Sequence, residues 1–263
     1  MPPDSMIERP DTRLSDPTPV LVQEVLRKLR DKERAAPARS VARTCPRIVT
    51  EFFDAALAHD FDTAHVLRGM LDAGVHADDI ADAYVPAVAR RLGCDWVDDR
   101  LSFARVTVAA GRLQSLLGRL AHPNDSIRSA HPGAPNVLLV SFEGDQHTLG
   151  WKLVSVQLRR RGAAAHAVLD IAPDAVADIT EQVGFDLVLV SASRPQVLDQ
   201  VARMVHALRA RMIDVPPVVL GGIVVDLLDP DAARPDIAAV TNCLDRALSC
   251  RKRKSAPSLS ARA

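Results

Sequence analysis

Asp145, His147 and Gly150 form an Asp-x-His-x-x-Gly spacing between an apolar run, Asn136–Ser141, and a mixed stretch, Trp151–Leu158. The first stretch reads as a buried parallel strand and the second as an amphipathic helix, so the histidine falls on a strand-to-helix loop. In an open α/β sheet, loops outside the carboxyl ends of the strands are where ligands bind. An aspartate two residues before a histidine can accept one imidazole N–H, set the tautomer and leave the other nitrogen free to ligate a metal. Taken alone, His147 reads first as a loop histidine that caps the following helix or binds a phosphate there.

Two further groups stand at defined separations. Residues 151–190 lead to Ser191-Ala192-Ser193, at the end of the apolar run Phe185–Val190; residues 194–220 lead to Gly221-Gly222, at the end of Pro217–Leu220. Alone, Gly150 reads as a close-packing position, Ser191 as a helix cap and the paired glycines as a strand-to-loop turn. Together, Asp-x-His-x-x-Gly, Ser-x-Leu and Gly-Gly in this order resemble the signature of base-off/His-on cobalamin-binding domains. That resemblance implies His147 as the lower cobalt ligand, and a groove for the displaced nucleotide tail lined by Ser191, Gly221 and Gly222. The chain departs at Ser193, where the family usually has Leu; the change is small and polar, and is expected to alter the tail pocket without abolishing it.

The elements that must carry these residues follow from periodicity. From Asn136 onward, strands at 137–142, 164–170, 186–191, 217–220 and 237–241 alternate with helices at 150–161, 173–183, 195–213 and 243–252, and an irregular or helical stretch spans 223–233. Five strands with helical crossovers predict a doubly wound, flavodoxin-like parallel sheet. In the strand order 2-1-3-4-5 the motif residues, after strands one, three and four, lie on one rim of one crevice.

The preceding segment, 45–122, reads as a four-helix bundle joined by short connections, its third helix stopped at Gly93. Residues 123–135 have linker composition. Residues 1–44 read as flexible apart from a short helix at 19–30, and the α/β domain is expected over 136–250. Residues 251–263 read as a basic disordered tail; contact with nucleic acid through Arg251–Lys254 is the sharper and weaker reading. The architecture expected is therefore a helical bundle followed by a five-stranded α/β domain.

Composition narrows the class. The 263 residues carry zero formal net charge, which gives no nucleic-acid footprint. The four cysteines (Cys45, Cys94, Cys243, Cys250) form no CxxC pair and read as reduced apolar residues. With neither an export signal nor a membrane-length apolar run, a cytoplasmic protein is expected. Glu143 reads as a solvated loop carboxylate with room for an electrostatic role near His147, and His166 as a packed strand residue.

Trp96 reads either as a core anchor of the bundle or as a ring laid over the upper face of a corrin, as in the helical caps of methionine synthase and the light-sensing CarH-like repressors. The CarH-like pattern places Glu-His nine residues after the Trp; here Val106-Thr107 follows residues 97–105, so an upper protein ligand from this position is excluded. The stretch Trp96–Val108, with Phe142–His147, is similar to the AerR/PpaA regulators of photosynthesis genes, over about residues 45–250. That similarity implies no catalytic residue. It also implies an adenosylcobalamin- or hydroxocobalamin-binding, light-responsive antirepressor acting on a redox-responsive repressor of the PpsR/CrtJ type, with DNA reached indirectly. A corrinoid carrier subunit of a methyltransferase and a haem sensor using the same His147 are the competing readings. Oligomeric state and the sign of regulation stay open.

Overall fold

Pro46 opens the first helix, where its missing N–H costs nothing and its fixed φ suits the helical start. The computed structural model describes residues 44–120, 133–145, 148–229, 232 and 234–252. The expected helix at 19–30, most of the linker, the tail from residue 253 and His147 itself lie outside the described residues.

Helices α1 (Pro46–Leu57), α2 (Thr63–Asp72), α3 (Ala77–Asp79), α4 (Val85–Val97) and α5 (Phe103–Leu120) precede the sheet. A π-helical segment, Ile80–Tyr84, joins α3 to α4. Phe52, Ala56, Ile80, Val88, Leu113 and Leu117 are buried in their shared core. Side chains brace the ends of these helices. Asp62 caps α2 by accepting the Ala64 N–H at 2.8 Å, which holds its carboxyl below the usual range. Arg112 donates to the carbonyls of Ala56 and Ala58 at 2.7 and 2.6 Å, placing a cation at the C-terminus of α1.

The third helical stretch departs from expectation. Gly93 lies inside α4, not at its end, and Trp96 is in the last helical turn. Glycine inside a helix costs only about 1 kcal/mol, less than the burial of Val85, Val88 and Leu92 on the same helix contributes. The chain turns at Asp99, whose φ is +54°, while Arg100 bridges Asp95 and Asp98.

The sheet is parallel, in the order β2-β1-β3-β4-β5, as expected. Its strands are β1 (Asn136–Phe142), β2 (Ala164–Ile171), β3 (Leu187–Ser191), β4 (Val218–Gly221) and β5 (Ala239–Val240). They alternate with α6 (Thr148–Arg160), α7 (Ala175–Val183), α8 (Val197–Arg211), a 3-10 turn at Ile223–Asp226 after β4, and α9 (Leu244–Ser249) after β5. Alternation along β1 sends Leu138, Val140 and Phe142 into a core shared with α7 and α8, and Val137 and Leu139 into one shared with α6 and α9. Helices therefore cover both faces, which is why the central strands read as unbroken apolar runs.

Helix α6 belongs to both parts of the molecule. Leu158 packs on the sheet, while Val156, with Leu149 and Leu153 against it, joins the core of the helical segment. Polar contacts hold both ends of this junction. Near the start of α6, Gln114 of α5 donates to Thr148 Oγ1 at 2.7 Å. Near its end, Gln157 donates to Asp82 at 2.9 Å, and Arg160 pairs with Asp78 and lies 3.5 Å from Asp82. Burial pushes the Arg160 guanidinium below its usual range, with Arg161 adding to the effect. Among the described residues no helix is long and apolar enough to cross a membrane.

Candidate functional site

β1 is buried along almost its whole length, so its backbone is fixed and the loop that follows inherits a fixed starting point. The loop turns tightly: Asp145 N–H donates to Phe142 O at 3.2 Å, and Gly144 supplies a φ of +81° that few side chains tolerate. Ser141 Oγ donates to Asp145 O at 3.1 Å, closing the turn from within. Asp170 from the end of β2 accepts the Gly144 N–H at 3.3 Å, and Arg194 from the β3 side donates to Gly144 O at 2.7 Å.

Asp145 reaches across to the loop after β3. Its Oδ2 accepts the Ser193 N–H at 2.8 Å and its Oδ1 the Ser193 hydroxyl at 3.2 Å. The two loops leave neighbouring strands, β1 and β3, on either side of the point where the strand order reverses. A crevice at that point is the binding position of doubly wound sheets. Ser193, singled out as a departure from a Leu pattern, is 8 % exposed and serves as the polar partner of the motif aspartate.

The remaining motif residues converge on the same rim. Ser191 is paired in register with Gly221 across β3 and β4. A methyl group at Gly150 would stand 3.6 Å from Ser191 Oγ, an ordinary contact, so packing alone does not demand glycine there. Gly222 is different. Its φ is +95°, and a Cβ would lie 2.4 Å from Ala192 O and 2.9 Å from Ala192 N. Glycine lets this loop pass directly over the end of β3, where Val224 N–H also bonds Ala192 O at 3.1 Å. At Gly221 a Cβ would meet Thr241 O at 3.3 Å. Gly221 and Gly222 thus act as close-approach positions of the backbone at the rim.

Trp96 stands apart from this cluster, on α4. It is half-buried and absent from the bundle's hydrophobic core, which argues against the core-anchor role. Its ring packs at 6.1 Å and 54° against Phe103, which is 68 % exposed. Glu143 is exposed beside the turn; His166, expected to be packed, is instead exposed on the edge strand β2, its ring meeting Phe185 edge-on at 5.7 Å.

Three residues at the rim escaped the sequence reading. Asn242, just past β5, accepts the Gly222 N–H at 2.8 Å and donates to Gly222 O at 3.2 Å, bracing the paired glycines. Asp170, with a φ of +54°, and Arg194 both hold Gly144. Arginine is common on any surface, and an Asp or Asn after a strand reads as turn chemistry; only proximity marks them.

Comparison with known proteins agrees with this geometry. Residues 135–242 match the family described as B12 binding domain. An uncharacterized 20.5 kDa protein in the bchF–crtJ intergenic region of Rhodobacter capsulatus is 34 % identical over 179 residues, covering 67 % of this chain and 92 % of that protein. Among solved structures, the monomethylamine corrinoid protein of Methanosarcina barkeri superimposes with a TM-score of 0.60 at 18 % identity. That match covers 77 % of this chain and 96 % of the corrinoid protein, and it shows a shared fold.

Proposed function

We propose a regulatory cobalamin protein, from the premise that this chain belongs to the B12-binding domain family and groups there with the R. capsulatus protein of the bchF–crtJ region. The observation that carries the reading is the convergence of Asp145, Gly150, Ser191 and Gly221-Gly222 at the β1–β3 crevice of a domain that matches that family. The residues present suit a corrinoid. Asp145 is held in place by Ser193, glycine at 150 keeps the approach to Ser191 open, and Trp151, one residue on, has a buried Nε1 with no hydrogen-bond partner among the described residues.

In this reading His147 would hold the cobalt, Asp145 would orient it, and Ser191, Ser193, Gly150, Gly221 and Gly222 would receive the nucleotide tail. When bound, the cofactor, adenosylcobalamin or hydroxocobalamin, supplies a cobalt centre whose upper ligand responds to light. Trp96, on α4, would close over the bound group from the helical segment. Helix α6 starts at Thr148, directly after the ligand loop, and shares a core with the helical segment. A change in what the helices cover therefore alters the surface offered to a protein partner. A partner that contacts the two arrangements differently shifts the equilibrium between them. The partner proposed is a redox-responsive repressor of the PpsR/CrtJ type, which makes the chain an antirepressor and not an enzyme. The fold likeness to a corrinoid protein favours a second reading, a methyl carrier with the same ligand set.

The test is the absorbance of the purified chain reconstituted with adenosylcobalamin or hydroxocobalamin, before and after green light. A corrinoid spectrum that changes on illumination, together with light-dependent repressor binding, is expected. A light-stable methyl-corrinoid consumed by added methyl acceptors would establish the carrier. A Soret band after haem addition, with no corrin retained, would replace cobalamin by haem. His147→Ala is expected to abolish the His-on spectrum; an unchanged spectrum overturns the ligand assignment.

A further inference from the structure

We propose that the outer edge of β2 pairs with β2 of a second copy of this chain, joining two sheets into one across a two-fold axis. β2 ends the strand order and is the longest of the five strands, eight residues against two at the opposite edge, β5. Its run Ala164-Ala165-His166-Ala167-Val168-Leu169 holds no carboxylate, lysine, arginine or proline. His166, Ala167 and Leu169 are exposed. Natural sheet edges carry such guards because an open row of backbone groups is a template for another strand.

The ladder to β1 decides which backbone groups are open. Ala164 N–H donates to Pro135 O at 2.8 Å, which turns the backbone of Ala164 toward β1. In a parallel ladder alternate residues direct both backbone groups to the same neighbour. Ala164, His166 and Val168 therefore serve β1, up to the shift in register after Val140. Ala165, Ala167 and Leu169 point outward. Among the described residues only Arg159 reaches these groups, donating to Ala165 O at 3.5 Å, the outer limit of a hydrogen bond.

A second copy fits this row because the row is self-complementary. The open residues are spaced evenly about Ala167, so in an antiparallel pair Ala167 faces Ala167, Ala165 faces Leu169, and each N–H meets a C=O. Side-chain volume agrees: alanine sits on the axis, and Leu169 falls against the small Ala165. Charge selects the direction. Arg159 lies beside Ala165, and the exposed Asp170 follows Leu169. Antiparallel pairing brings Arg159 of one copy toward Asp170 of the other, whereas parallel pairing aligns like charges. Such an isologous contact closes on itself after two copies. The two β1–β3 crevices then lie at opposite ends of the joined sheet, facing away from each other.

The experiment reads mass and register in the full-length chain. Sedimentation equilibrium at tens of micromolar is expected to give twice the 28.4 kDa of one chain. Ala167→Pro removes an outward N–H and leaves the β1 ladder intact, a place where an edge strand accepts proline. Ala167→Lys sets like charges on the axis. Both variants are expected to show the single-chain mass with an unchanged circular dichroism spectrum; should the proline variant unfold, the lysine variant and the cysteine pair below decide. Ala167→Cys is expected to form a disulfide-linked dimer on mild oxidation, since facing residues of a hydrogen-bonded pair stand about 5.5 Å apart. Ala165→Cys, which faces Leu169 and not itself, should cross-link no more than wild type. A single-chain mass for wild type, or a dimer that survives both Ala167 variants, overturns the proposal. Equal cross-linking through the two cysteine variants overturns it too, as does a mass that climbs past two copies with concentration.

Discussion

Asp145 and Ser193 are tied by two hydrogen bonds, at 2.8 and 3.2 Å, that span the crevice between β1 and β3 across 48 residues of sequence. One comes from the backbone and survives any substitution except proline; the other comes from the hydroxyl. Ser193→Ala should therefore cost about 1 kcal/mol, read as a lower urea midpoint at unchanged slope. Ser193→Leu, which restores the usual family residue, should cost more in the free protein, because a larger side chain must enter a buried site. A Leu variant as stable as wild type would show that the hydroxyl contributes nothing.

Gly222 offers a sharper test of the rim. Any side chain there meets Ala192 backbone atoms inside 3 Å and adopts a positive φ at the same time. Gly222→Ala is expected to destabilise by roughly 3 kcal/mol, whereas Gly150→Ala, with an ordinary contact to Ser191 Oγ, should cost under about 1 kcal/mol and show its effect on corrinoid affinity. Chemical denaturation of both variants, beside corrinoid titration, separates the two kinds of glycine; equal stability losses would refute the distinction.

The junction between the helical segment and α6 depends on Arg160. Its partners are unequally exposed, Asp78 78 % and Asp82 38 %, so solvent screens much of the attraction. A double-mutant cycle of Arg160→Ala with Asp82→Asn is expected to give a coupling of about 0.5–1 kcal/mol. Amide exchange in the Ile80–Tyr84 segment should speed up in Arg160→Ala while exchange in β1 stays slow. Uniform acceleration across the chain would instead mean that the pair stabilises the fold as a whole.

Trp96→Ala should leave the helical segment folded, since the ring lies outside its core, with a loss of about 1 kcal/mol from the contact with Phe103. In the corrinoid-loaded protein the same change should perturb the absorbance bands that report the upper-ligand environment. Collapse of helicity in the circular dichroism spectrum would restore the core-anchor role.

Much of this architecture was legible because it rests on local periodicity. The runs Val137–Val140 and Leu187–Val190 are apolar throughout since both faces are covered, and crossover handedness then leaves few strand orders. Gly93 misled for the complementary reason. Local propensity says stop, and the burial of Val85, Val88 and Leu92 carries the helix on to Val97. The π segment at Ile80–Tyr84 has no sequence signature, because a widened turn is set by what packs beside it.

Residue types and their spacing determined the fold class, the order of the strands and the rim on which Asp145, Gly150, Ser191 and the paired glycines would meet, since strand alternation and short loops transmit local pattern into position. The partners at that rim were decided only by the tertiary structure. Ser193 on Asp145, Arg194 on Gly144, Asn242 on Gly222 and α6 shared between two cores all join residues far apart in sequence. Polar partners and packing contacts of this kind are chosen by distance in space, which one-dimensional spacing does not encode.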